Sequence, residues 1–293
     1  MSFLSHLFNG ISLGSVYAII ALGYTMVYGI AKMLNFAHGD IIMVGGFISL
    51  IAATSFGLSP IPVIIIAMIG CTILGVLIER IAYRPLRGAA SPLAVLITAI
   101  GVSFLLQNLA LLIFGAGARV YPNQVSLPPL RLADGLIISG VTIVTIISCL
   151  VIMITLTLFV NKTKAGQAMK AVSEDKGAAQ LMGINVNKTI MLTFAIGSGL
   201  AAVAGVLLCS AYPTLNPYTG AMPGIKAFVA AVFGGIGSIP GALIGGILLG
   251  VIEILSRAYI SSQLADAIVF AVLIIVLLVK PTGLLGKKIQ EKV

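Results

Sequence analysis

Several windows of this chain run for roughly 20 residues without a charge, the length a helix needs to cross about 30 Å of hydrocarbon at 1.5 Å per residue. In lipid every backbone N–H and C=O must be paired inside the protein, so such windows are helices or the strands of a closed barrel. The alternating pattern of barrel strands is absent. With 59% hydrophobic and 9% charged residues, little is left to cover a water-facing surface. The expected fold is an all-α, polytopic transmembrane helical bundle forming one domain over residues 1–293. Its spans are expected near 7–30, 37–54, 60–79, 92–114, 136–160, 189–211 and 264–279, with a Gly-rich segment at 225–256.

A net charge of +9 is here a matter of topology rather than of nucleic-acid binding. Placing 31–36, 80–91, 161–188 and 280–293 on one side gathers thirteen basic residues there: Lys32, Arg80, Arg84, Arg87, Lys162, Lys164, Lys170, Lys176, Lys188, Lys280, Lys287, Lys288 and Lys292. Only Arg119, Arg131, Lys226 and Arg257 remain opposite. By the positive-inside rule the thirteen face the cytoplasm, the N-terminus lies outside and the C-terminus inside. Cys71, Cys149 and Cys209 each sit inside an apolar span, which argues against a disulfide framework. The opening MSFLSHLF has no basic n-region and no small-residue cleavage site, so no removable signal peptide is expected.

Parity then constrains 225–256. The chain is inside at Lys188 and again at Lys280, so this segment either dips in and returns or crosses twice with short helices. Its centre, FGGIGSIPGALIGG, places Gly235, Gly237, Pro240 and Gly241 where a helix breaks, and a re-entrant pair of half-helices is the expectation. These four residues are candidates for lining a path or for close helix packing. Small residues recur every fourth position at Gly10/Gly14, Gly197/Ala201/Gly205, Gly237/Gly241/Gly245 and Gly246/Gly250, which lets backbones approach closely.

The stretch 161–188 is too regular for a tether. Ser173 is expected to cap a helix with Glu174 and Asp175 in its first turn, and Gly183 to stop it. Ala178, Ala179, Leu181 and Met182 would form an apolar patch, and Ala165, Ala168, Met169 and Val172 mark a preceding short helix. Such a pair suits docking into a protein groove, or lying on the headgroups.

Polar residues within the spans are few. In LNFAHGD, Asn35 is expected to cap the second span, with Asp40 in its early turns. His38 and Asp40, two apart, point in different directions and make a poor joint metal site. Gln107 and Asn108 lie deep in the fourth span, as interhelical hydrogen-bond partners or as path lining. Glu253 and Arg257 are spaced to pair, and Glu79 and Arg80 are expected to be interfacial anchors. No relay of acids and histidines crosses the membrane, which disfavours a proton-coupled transporter. An intramembrane hydrolase pairing Ser198 or Ser238 with His38 has no supporting motif. No catalytic residue, metal site or cofactor is assigned.

The run MLNFAHGDIIMVGG (33–46) resembles the second-span signature of branched-chain amino acid ABC permeases of the LivH type. The opening GISLGSVYAIIALGYTMVYGI, the loop ERIAYRPLRG and the distal FGGIGSIPGALIGGILLGVIE resemble the same family. Ala178-Ala179-x-x-x-Gly183 resembles the core of the loop by which ABC importer permeases contact their ATPases, although the Glu often preceding the alanines is Gly177 here. The resemblance implies a bacterial inner-membrane subunit passing leucine, isoleucine and valine inward. Its implied partners are a LivM-type second permease, two ATPase subunits and a periplasmic substrate-binding protein. Under it, Ser173, Glu174, Asp175, Ala178, Ala179 and Gly183 couple to the ATPase, and Asn35, His38, Gly39 and Asp40 form a signature with a gating role. No G-x-x-x-x-G-K-[ST] phosphate loop is present, so ATP hydrolysis falls to the partners. Related substrates (other amino acids, amides or urea) stay open.

Overall fold

The structure, a computed structural model, describes residues 3–87, 92–122, 124–125, 127–131 and 137–286. Lys287, Lys288 and Lys292, counted above on the cytoplasmic side, lie outside these, as does residue 136 at the start of the fifth expected span. The protein is an all-α polytopic bundle. Its helices are α1 (Phe3–Ala31), α2 (His38–Thr54), α3 (Pro60–Ile78), α4 (Pro92–Phe114), α5 (Gly140–Lys162), α6 (Lys164–Glu174), α7 (Lys176–Leu181), α8 (Val186–Ala211), α9 (Ala221–Gly234), α10 (Ile239–Tyr259) and α11 (Ala265–Val279). A π turn (Glu79–Tyr83) and a 3₁₀ turn (Arg84–Leu86) extend α3. Among the described residues six helices are long and apolar enough to cross a membrane, beginning at Phe3, Pro60, Leu93, Gly140, Val186 and Ile239.

Local chemistry sets the ends. Lys32, at φ +57, turns the chain out of α1. Ser139 accepts from Thr142 N at the start of α5, Asn185 from Lys188 N at α8 and Ser238 from Gly241 N at α10. These caps satisfy amides that the helices leave unpaired. Pro60 and Pro240 occupy first-turn positions, where their missing N–H costs nothing.

The helices α1 and α8 form the buried centre, while α3, α4 and α5 present apolar residues outward. Close approach is built on small residues. A side chain at Gly14 would strike the Ile247 backbone at 2.6 Å, and one at Gly10 the Val251 backbone at 2.8 Å, so α1 and α10 touch backbone to backbone. The four-residue pairs Gly10/Gly14 and Gly246/Gly250 therefore pack against the facing helix inside the bundle, while Gly241 and Gly245 pack on α9.

Two helices start within the bundle rather than at its ends. Cys71, in the middle of α3, donates to the Ile41 carbonyl in the first turns of α2, well short of the end of the α3 extension. Gly220, at the head of α9, lies against Gly39 at the head of α2. At 14 residues, or about 21 Å, α9 is too short to cross by itself. The irregular segment before it follows α2, with Leu215 against Gly46. After α9, Gly235 and Gly237 take φ of +104 and +93 and break the helix, and α10 runs back. The break is stitched to the chain beyond α11 by Leu284 N to Phe233 O and Leu285 N to Gly234 O, each 2.9 Å. It lies beside Gly29, at the end of the bundle where α1 stops.

Candidate functional site: an internal polar seam and a helical surface

Asn35 does not cap α2. The cap position is Ala37, without a side-chain bond, because the chain enters α2 already turned in the helical sense. Asn35 is instead buried and accepts from the Tyr83 hydroxyl at 2.7 Å, tying the α1–α2 connection to the π turn after α3. His38 is buried edge-on against Tyr24, with ring centroids 4.6 Å apart. Glycine is required opposite it, since a side chain at Gly23 would meet His38 Nε2 at 2.6 Å. Gly39 meets the carbonyl of Gly220 in the same way, at 2.7 Å. Asp40 accepts from Gln107 Nε2 of α4 at 2.9 Å. Among the described residues no group of His, Cys, Asp or Glu is placed to hold a metal ion.

Gln107 therefore makes an interhelical bond, and Asn108 does not: its amide turns back to Phe104 O of its own helix and stays exposed. Glu79 is no interfacial anchor. It is fully buried and pairs with Arg87, which also donates to Asn187 at 2.8 Å. Arg80 is exposed.

The pairing of Glu253 with Arg257 (2.5 Å) belongs to a larger cluster. Lys226 Nζ lies 2.7 Å from both Glu253 and Asp266, and Tyr17 donates to the other Glu253 oxygen at 2.9 Å. Lys226, counted above among the four basic residues opposite the cytoplasmic side, lies within a helix. It is 3% exposed on α9, where two carboxylates compensate its buried charge. The i, i+4 spacing is the part of this cluster visible along the sequence, since Tyr17, Lys226 and Asp266 come from three other helices.

In 161–188, α6 is capped by Thr163, which accepts from Gly166 N at 3.0 Å. Ser173 is not a cap. It lies in the last turn of α6 and donates to Lys170 O at 2.7 Å, with Glu174 ending the helix. The cap of α7 is Asp175, which accepts from Gly177 N and Ala178 N at 2.7 and 3.0 Å; its short carboxylate reaches those amides because its own backbone is extended. Gly183 has φ +82, the left-handed stop, and the Ile184 amide closes on the Ala179 carbonyl at 3.0 Å. Ala179 is buried and Ala178 exposed; beyond them Leu181 and Met182 stand 90% and 82% exposed. Lys176 donates to Ala31 O at the end of α1. Partial burial, with Arg87 and Lys32 nearby, pushes its ammonium below the usual lysine range.

Gly235 closes α9, where a side chain would strike Gly286, whereas Gly237 faces open space. Gly241 packs on Gly234 at the crossing of α9 and α10, and Pro240 lies in the first turn of α10.

Residues 6–277 match the family described as branched-chain amino acid transport system / permease component. The chain belongs to this permease family. LivH of Salmonella typhimurium, named a high-affinity branched-chain amino acid transport system permease protein, is 46% identical across 99% of this chain and 98% of its own length. LivH of Escherichia coli K12 is 44% identical and BraD of Pseudomonas aeruginosa 45%, each over the same shares.

Proposed function

We propose that this chain is the membrane-spanning permease subunit of an ATP-driven ABC importer that brings leucine, isoleucine and valine into the cytoplasm across the bacterial inner membrane. The observation that carries this is full-length identity of 44–46% to relatives named for that transport. The chain has no phosphate loop, so the energy comes from ATPase partners, with a LivM-type second permease, two ATPase chains and a periplasmic binding protein completing the assembly. The N-terminus faces the periplasm. On that orientation the irregular segment and α9 together cross the membrane once and α10 crosses back, in place of a re-entrant dip. This accounts for the break between them lying at the end where α1 stops.

In this function α6 and α7 form the coupling element. Asp175, Ala178, Ala179 and Gly183 shape it, Ser173 and Glu174 close α6, and Leu181 with Met182 supply an apolar end for an ATPase groove. Asn35, His38, Gly39 and Asp40 hold the internal starts of α2 and α9 together and serve as the hinge seam. Gln107 braces Asp40, and Asn108, exposed in mid-helix, is left for a partner or the path.

Two experiments test this. Purification of tagged protein in mild detergent should recover two ATPase chains and a second permease of similar size. Recovery of the chain alone, where a known ABC importer stays intact, would overturn it. Gly183→Leu puts a side chain in a left-handed conformation and should lower leucine uptake relative to ATP hydrolysis. Undiminished uptake would remove the coupling assignment.

A further inference from the structure

The outward side of α3 changes character where the helix ends. Ala67, Cys71 and Ile78 are buried and fix its inward face. On the opposite side Ile66, Ile69, Ile73 and Leu77 are exposed at spacings of three and four, forming one apolar stripe. From Ile66 to Leu77 is about 16 Å at 1.5 Å per residue, close to the hydrocarbon depth of one bilayer leaflet. The stripe continues, again at spacings of three and four, into Arg80 and Arg84, both exposed. Arg80 lies in the π turn and Arg84 caps it. Such a turn closes between residues five apart, so residues four apart come round to nearly the same side. Arginines at other helix ends have partners within the chain: Arg87 pairs with Glu79, Arg257 with Glu253, and Arg119 stacks on Phe114 and donates to its carbonyl. Among the described residues no carboxylate lies within ion-pair distance of Arg80 or Arg84. Glu79 attracts both from a distance, but it is buried and engaged with Arg87.

We propose that Arg80 and Arg84 hold the phosphate of an anionic phospholipid whose acyl chains lie along the stripe from Leu77 to Ile66. This goes beyond the functional reading above and needs only that α3 with its extension spans the membrane, for which Pro60–Leu86 is long and apolar enough. Two guanidiniums on one side repel each other until an anion lies between them, and the planar fork of each donates to phosphate oxygens in pairs. Their methylene stems start at the apolar boundary, from which arginine side chains extend to the headgroups. The unbroken stripe decides the class of occupant. A soluble ATPase reaches arginines at a helix end, but not isoleucines a leaflet deep. A second permease covering the stripe would bury both guanidiniums and would have to bring carboxylates to them. An amphiphile with a negative head and hydrocarbon tails matches both parts of the surface at once.

The test is a lipid titration of the full-length chain, stripped of lipid in mild detergent, with bound lipid counted by native mass spectrometry. Phosphatidylglycerol, which carries a negative charge, is set against phosphatidylcholine, which carries none net. Wild type should bind phosphatidylglycerol more tightly. In Arg80→Gln/Arg84→Gln that affinity should fall roughly thirtyfold, because each basic residue at an anionic surface is worth about fivefold. Phosphatidylcholine affinity should stay as in wild type. Arg131→Gln, at an exposed arginine between α4 and α5, should change neither. Should the double variant fail to fold, Arg84→Gln carries the test with a loss of about fivefold. Equal affinity of wild type for the two lipids overturns the proposal, and so does undiminished phosphatidylglycerol binding in the variants. Loss of a co-purifying ATPase or permease chain from the double variant, with lipid binding unmoved, would assign the pair to a protein interface instead. None of these readouts uses leucine uptake, so the importer reading and the lipid site fail separately.

Discussion

Replacing Lys226 by methionine isolates the energetic role of the buried charge cluster. The substitution keeps the side-chain length and removes the ammonium that Glu253 and Asp266 share at 2.7 Å. Removing one partner of a buried pair costs about 3–5 kcal/mol, because the remaining charge is left uncompensated. Here the penalty falls toward the lower value. Glu253 keeps its bonds from Arg257 and Tyr17, and Asp266 is 42% exposed. A loss of about 3 kcal/mol corresponds to a midpoint lowered by roughly 6–12 °C for a domain of this size. The protein carries its own reporter, since Cys71, Cys149 and Cys209 are free and buried. A dye that fluoresces on reaction with thiols therefore follows unfolding in detergent. The double variant Lys226→Met/Glu253→Gln removes both charges and should recover part of the loss, as neutral replacement of buried pairs does. A Lys226→Met midpoint equal to wild type, or a double variant less stable than the single one, would refute the reasoning.

Two further perturbations address the internal seam. Gly220→Ala places a methyl against the backbone of Gly39, where no flexible atom can yield; assembly and uptake should both fall, measured by membrane yield and leucine transport. Wild-type yield would mean that α2 and α9 are not locked at their heads. Tyr83→Phe leaves the buried Asn35 oxygen without its donor and should cost about 1–3 kcal/mol, read by the same thiol assay.

Long charge-free windows made the helical bundle legible, because in lipid nothing but a helix or a closed barrel satisfies the backbone. Gly183 was legible for a similar reason, since few residues accept its φ of +82. The caps were harder. Ser173 and Asp175 are both good capping residues two positions apart, and the choice fell to Asp175 only because α6 continues through Ser173 to Glu174. Asn35 is no cap because the chain enters α2 already turned at Ala37, and Tyr83, 48 positions away, donates to its oxygen instead. The burial of Lys226 was not legible, because the carboxylates that pair with it lie 27 and 40 residues on. Pairings of that separation leave no local periodicity to read.

The arrangement of α5 connects the proposed coupling element to the opposite end of the bundle. Its head lies at Ser139, whose side chain caps it, and its tail passes through the single residue Thr163 into α6. Between them run 23 helical residues, about 34 Å of rod without a proline. Outside its contacts with α1, α8, α10 and α6, this rod faces away from the bundle, unlike the glycine-locked pair α1 and α10. Closely meshed backbones cannot shift gradually, whereas an element held by side-chain contacts can tilt as a unit. On the coupling role proposed above, a displacement of α6 imposed by an ATPase would therefore travel along α5 to its head at Ser139 while α1 and α10 hold the frame.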